Sequence, residues 1–193
     1  MIRHCARTCV AALLLAAAFA AQAAAQTPTL VFLVRHAEKA AAPADDPPLT
    51  AVGEARARAL AGALAHAGIG AIISTPYART RGTAAPIAAQ LGLTVETVPV
   101  AGGVAAHATA VAETVRRHAG KAVLVVGHSN TIPAIAAALG APRLPDLCDE
   151  EYDQIYVVQL MPGGEARFAR ARYGAPVLQS GCAQMLGRQG GGP

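Results

Sequence analysis

The sequence predicts an α/β protein, a three-layer α/β/α sandwich around a mainly parallel, mixed sheet. Two observations carry that expectation. Short apolar runs such as "LVFLV", "AIIS" and "AVLVV" alternate along the chain with longer Ala-rich segments, the order of a sheet covered by helices. The last two strand-like runs are separated by little more than "MPGG", too short for a crossover helix, so they pair antiparallel. At 193 residues the chain has the length of one domain, and no internal repeat divides it.

Each element has a local reason. Thr29–Val34 reads as the first strand. "AAPADDPPLT" is a polar, Pro-rich loop that ends in Thr50, a predicted N-cap for an Ala-rich helix reaching to about Ala67, where "HAGIG" stops it. Ala71–Ser74 is a second strand. Arg81–Gln90 is helical, with Pro86 inside it as a point of kinking. Thr94–Val98 is a short third strand, Ala105–His118 a helix, Ala122–Gly127 a strongly apolar fourth strand and Pro133–Leu139 another helix. Ile155–Leu160 and Ala166–Tyr173 close the sheet.

The first 25 residues stand apart. Arg3 and Arg7 precede an unbroken apolar run from Val10 to Ala21, and "AQAAAQTP" offers small-residue cleavage sites after Ala23 or Ala25. That is the pattern of a secretory signal peptide. A bilayer span needs about 20 apolar residues, and an uncleaved N-terminal anchor is the alternative. The expected organisation is a signal peptide over 1–25, one domain over 26–180 and a flexible tail over 181–193, in a protein exported to the periplasm or secreted, with no stable membrane insertion after cleavage. Losing the leader brings the formal charge from +4 to near +2, with 14 basic residues against 12 acidic ones. That balance, without a basic stripe carrying interleaved aromatics, excludes a nucleic-acid reader. Cys148 and Cys182 remain in the mature chain. In an oxidising compartment they can bridge, at roughly 3–4 kcal/mol of stabilisation; two unpaired thiols are the other reading.

Three strand-like runs end in residues able to do chemistry. The first delivers Arg35 and His36. "STPYART" follows the second and delivers Arg79, near a helix start. "AVLVVGHSNTIP" delivers His128, Ser129 and Asn130 and turns into a helix. In parallel α/β sheets, ligands bind outside the carboxyl ends of the strands. A helix start favours an anion, and two guanidiniums can fork onto phosphate oxygens.

"RHAEK", "STPYARTRGTA" and "VVGHSN", in that order and each after a predicted strand, resemble the signature segments of the histidine phosphatase superfamily, the phosphoglycerate-mutase-like proteins. The resemblance spans Leu30 to about Tyr173. It implies a phosphoglycerate mutase-like fold and a metal-independent phosphomonoesterase, a phosphoric monoester hydrolase. By that resemblance His36 is the nucleophile that takes the phosphoryl group, while Arg35, Arg79 and His128 grip its oxygens. Ser129 and Asn130 are further phosphate contacts or, alternatively, helix caps. A nucleophilic His36 needs one unprotonated ring nitrogen, so its other nitrogen should donate to a backbone carbonyl. Water then attacks the phosphohistidine and releases phosphate. No metal or other cofactor is expected, because the arginines and His128 supply the positive charge. The expected partner is a small phosphorylated substrate or phosphate; the sequence carries no signal for oligomeric state.

Two departures from that pattern matter. Ala37 stands where the superfamily usually has Gly, which removes some backbone freedom beside the nucleophile. The general acid for the leaving oxygen is uncertain between Glu96, within a predicted strand, and Glu38, whose other role is an ion pair with Lys39 or a neighbouring helix. Without an acid, only good leaving groups depart quickly. That keeps a second class in view, a non-catalytic phosphate- or phospholigand-binding protein. The chain lacks the Glu-Ser-x-Trp-Asn continuation of the mutases, and the arginines oppose a metal site built from His36, His128 and Glu38. Arg81 is expected to face solvent or to rim the cleft, and His66, His107 and His118 are expected at the surface. "DEEYD", Asp149 to Asp153, reads as a solvated loop from which Tyr152 and Asp153 could reach the cleft.

Overall fold

The computed structural model describes residues 27–177. Its elements are β1 (Thr29–Arg35), α1 (Ala51–Ala63), β2 (Ile69–Ser74), α2 (Ala78–Leu91), β3 (Val95–Thr97), α3 (Gly103–Arg117), β4 (Ala122–Gly127), α4 (Thr131–Ala138), β5 (Gln154–Leu160) and β6 (Ala166–Arg172). The strands form one six-stranded sheet in the order β3-β2-β4-β1-β5-β6. β1, β2, β3 and β4 run parallel, and β5 pairs antiparallel with both β1 and β6. This is the mixed, mainly parallel sheet the sequence predicts. The expected tail over 181–193 and the expected signal peptide over 1–25 lie outside the described residues.

Two helices cover each face. On one, Leu60, Ala61 and Leu64 with Ala84, Ile87 and Ala88 pack on Val34, Ile72, Leu124 and Val126. On the other, Ala108, Val111, Ala112 and Val115 with Ile132, Ile135 and Ala136 pack on Val31, Leu33, Ile73 and Val125. The helical stripes follow the 3.6-residue period: α1 buries positions 53, 56, 57, 60 and 61, and α2 buries 80, 83, 84, 87 and 88.

Helix boundaries moved where long-range contacts cap or continue a helix. Thr50 caps α1 as expected, its hydroxyl accepting from Gly53 N at 3.1 Å. α2 begins three residues before the sequence-based boundary, because Asp46, from the Pro-rich loop, accepts from Ala78 N at 2.8 Å and satisfies a free helix-start amide. It then runs through Pro86 and ends on Gly92 in the left-handed region, at φ 65°. Gly53 is required by proximity: a Cβ there would run into the carbonyl oxygen of Glu38.

Candidate active site

The strand order explains why three distant segments meet. β4 lies between β2 and β1, with Arg35 in register with Gly127 and Ser74 in register with Val126. The residues that follow these rungs therefore leave the sheet side by side. His36 N donates to Gly127 O at 2.9 Å, which ties the end of β1 to the end of β4. Their side chains line a cleft of about 360 Å³ that includes Arg35, His36, Lys39, Tyr77, Arg79 and His128.

Both arginines are held before any ligand arrives. Arg35 is buried; its Nη1 donates to Cys148 O at 2.7 Å and Asp149 O at 2.9 Å, and its guanidinium stacks on the Tyr152 ring, 4.2 Å from the centroid. Arg79 stacks on Tyr77 at 4.4 Å and lies 3.8 Å from Asp46 Oδ1. The Nε atoms of Arg35 and Arg79 are buried donors with no acceptor among the described residues. An unpaired buried N–H is costly, and an oxyanion bound in the cleft is the kind of group that satisfies it.

The two imidazoles lie with ring centroids 5.5 Å apart. His36 Nδ1 is 2.8 Å from Ala37 O. A carbonyl can only accept, so Nδ1 carries the proton and Nε2 carries a free lone pair. Burial, with the charges of Arg35, His128 and Arg79 against it, overcomes the raising effect of the Ala37 hydrogen bond and pushes His36 down to about 3. His128 is pushed down to about 4 by burial first, then by Arg79, His107 and Arg35. Both rings are therefore neutral at neutral pH in the free protein. His128 Nε2 meets Thr75 Oγ1 at 3.2 Å, and Thr75 Oγ1 meets Thr80 Oγ1 at 2.7 Å.

Arg35, His36, Arg79, His128, Ser129 and Asn130 all line this cleft. Asn130 takes the N-cap position expected of Ser129 or Asn130 but makes no side-chain cap bond, while Thr131 Oγ1 accepts from His128 N at 2.9 Å and braces the turn before the helix. Gly127 permits that tight turn, since a Cβ would sit 2.9 Å from Thr131 Oγ1 and Ile132 Cδ1. Ala37 causes no strain: no non-glycine residue of the described chain has positive φ, and Ala37 N donates to Thr83 Oγ1 at 2.9 Å.

Both expected acids are corrected. Glu38 is gripped by Arg56 of α1, with Nε at 2.8 and 3.0 Å from its two oxygens and Nη2 at 2.8 Å, and it does not line the cleft. Glu96 pairs with Arg117 at 2.8 Å and His118 at 3.1 Å, and it too is absent from the cleft. Each carboxylate is committed to a cation on a neighbouring helix or at its end. His107 is also not a surface residue: it is buried, with Nδ1 donating to Pro99 O at 3.0 Å. Asp153 is buried at the start of β5, accepting from Arg172 at 2.8 Å and from Val177 N at 3.2 Å, so it serves the sheet edge. Cys148 is buried and disulfide-bonded; Cys182 lies outside the described residues.

Sequence reasoning missed the residues that hold the machinery. Thr83 binds the Ala37 amide and donates to Arg79 O at 2.8 Å, joining the β1 end to α2. Thr75, Thr80, Tyr77 and Asp46 play similar parts. No local pattern distinguishes these residues from ordinary helix-start and loop residues.

Fold and cleft together define an α/β protein with an oxyanion-suited pocket at the carboxyl ends of its parallel strands. Residues 31–100 match the model of the histidine phosphatase superfamily (branch 1). Among solved structures, the protein histidine phosphatase SixA complexed with tungstate aligns with a TM-score of 0.61 at 23% identity, over 74% of this chain and 96% of that one. YhfR from Bacillus stearothermophilus aligns at 0.59 and 21%, over 73% and 95%. Phosphoglycerate mutase from Bacillus anthracis aligns at 0.61 and 15%, over 77% and 94%. No curated protein sequence matches the chain. The chain has the phosphoglycerate mutase-like fold, and its residues 31–100 resemble the histidine phosphatase superfamily.

Proposed function

We propose that the protein is a metal-independent phosphomonoesterase that works through a phosphohistidine on His36. The observation that carries this reading is the His36 hydrogen bond: Nδ1–H on Ala37 O leaves Nε2 unprotonated in a cleft shared with Arg35, Arg79 and His128. The Nε2 lone pair attacks phosphorus, the P–O bond to the leaving group breaks, and the electron pair leaves on that oxygen. Water then attacks the phosphohistidine, giving phosphate and restoring the lone pair. Arg35 and Arg79 hold the equatorial oxygens and stabilise the charge of the transition state, and His128 adds a further polar contact. The tungstate complex of a similar fold supports the assignment, since tungstate is a tetrahedral oxyanion like phosphate.

The test is hydrolysis of p-nitrophenyl phosphate by the purified protein with EDTA present, beside His36→Ala. Turnover that survives chelation and is lost in the variant is expected. A folded protein that binds vanadate yet turns over nothing would favour the second reading, a non-catalytic phospholigand binder, which the displacement of Glu38 and Glu96 from the cleft keeps in view. We also infer export, on the leader pattern of residues 1–25, and pairing of Cys148 with Cys182; N-terminal mass analysis of secreted protein and a non-reducing peptide map test these.

A further inference from the structure

We propose that the preferred substrates carry a terminal phosphoanhydride, with Lys39 receiving the leaving phosphate. This rests on the phosphohistidine chemistry proposed above and carries it from monoesters to anhydrides. The argument starts from the acidic residues. All 12 of them fall within residues 27–177, so the count of candidate carboxylic acids is complete. Of these, Asp149 alone lines the cleft. Its carboxylate is 95% exposed and faces Arg35 Nη2 at 4.0 Å, at the solvent rim of the cleft. Asp46, near Arg79, is committed to the Ala78 amide. Glu38 and Glu96 are bound to cations away from the cleft. An alkoxide departing from this site would find no buried carboxylic acid to protonate it, which slows its departure.

A leaving group that is a weak base needs no acid. Acyl phosphates and phosphoanhydrides qualify outright, phosphoramidates once their nitrogen has been protonated by solvent, and Lys39 discriminates among them. It follows His36 by three residues, lines the same cleft, is exposed, and has no ion-pair or hydrogen-bond partner among the described residues. An ammonium does nothing for a departing neutral amine. It stabilises a departing carboxylate weakly and a departing phosphate, with its larger charge, most strongly. Arg35 and Arg79 then serve the transferred phosphoryl group and Lys39 the group left behind. In the step itself the His36 Nε2–P bond forms, the bond from phosphorus to the bridging oxygen breaks, and the electron pair stays on the second phosphate. Water completes the cycle as before, so no oxidant, reductant or further reactant enters.

The experiment compares kcat/KM for inorganic diphosphate, glycerol 2-phosphate and p-nitrophenyl phosphate, with EDTA present so that the diphosphate is metal-free, in wild type, Lys39→Met and Lys39→Arg. Diphosphate is expected to exceed glycerol 2-phosphate by roughly 100-fold or more. Lys39→Met lowers the ratio of diphosphate to p-nitrophenyl phosphate about tenfold, the worth of one charge-assisted contact, and Lys39→Arg restores most of it. Glycerol 2-phosphate cleaved as fast as diphosphate, or a ratio unmoved by Lys39→Met, overturns the inference. Cleavage of p-nitrophenyl phosphate without cleavage of diphosphate overturns this inference alone. A folded protein that cleaves neither overturns the phosphatase reading and this inference with it.

Discussion

Glu38 offers a sharp separation of stability from catalysis. It sits two residues after the nucleophile, where a catalytic acid could be looked for, yet its carboxylate faces Arg56. The Arg56 guanidinium is buried and makes three contacts to Glu38 at 2.8, 3.0 and 2.8 Å, plus one to Ala175 O at 3.0 Å. Glu38→Ala leaves that guanidinium with a single backbone acceptor. Removing one partner of a buried pair costs about 3–5 kcal/mol. Glu38 is 20% exposed, so water can reach Arg56, and the lower end of about 3 kcal/mol applies. Glu38→Gln keeps the shape and one acceptor and should cost about half as much. Chemical denaturation measures both, and for a domain of this size a loss of about 3 kcal/mol lowers Tm by roughly 6–12 °C. At 25 °C, in the folded variant, the ratio of rates on p-nitrophenyl phosphate and glycerol 2-phosphate stays within about twofold of wild type. A variant of unchanged stability that selectively loses the poorer leaving group would refute this assignment and make Glu38 the acid.

Other consequences follow from the cleft. His36 at about 3 and His128 at about 4 lie below the unfolded value of 6.5, so between these limits the unfolded chain binds more protons than the folded one. Stability therefore rises with pH up to about 6.5 and is lost as pH falls below it, at on the order of 1–3 kcal/mol per pH unit for the pair; urea unfolding at pH 5 and 7 measures it, and His128→Gln should flatten the slope. Arg79→Ala removes a charged hydrogen-bond donor set and should weaken vanadate binding roughly 10- to 100-fold, read by competitive inhibition of p-nitrophenyl phosphate hydrolysis. Gly127→Ala forces its Cβ to within 2.9 Å of Thr131 Oγ1 and Ile132 Cδ1. It should cost about 1–3 kcal/mol and lower kcat by displacing His128, whereas Gly163→Ala, with open space around its Cβ position, should do neither.

Much of the architecture was readable because its causes are local. The Val/Ile/Leu runs at Thr29, Ala71 and Ala122 form strands, and "MPGG" makes the final pair antiparallel. Ala122–Gly127 agrees residue for residue. The placement of Arg35, His36, Arg79 and His128 followed from the rule that parallel strands present their carboxyl ends together. What escaped depends on contacts across long sequence distances. Asp46 reaches Ala78 over 32 residues, Thr83 reaches Ala37 over 46 and Arg35 reaches Cys148 over 113. The same gap misplaced Glu96 and His107, because sequence alone does not show that Arg117, His118 and the Pro99 carbonyl would claim them, whereas Glu38 takes the second role expected of it, an ion pair with a neighbouring helix.

The account turns on one covalent bond. Protein mixed with p-nitrophenyl phosphate, quenched in alkali within the first turnovers and digested for mass spectrometry, should carry a phosphoryl group on His36, in wild type and not in His36→Ala. Turnover without any phosphorylated His36, or a phosphoryl group found on another residue, would contradict the mechanism at its centre.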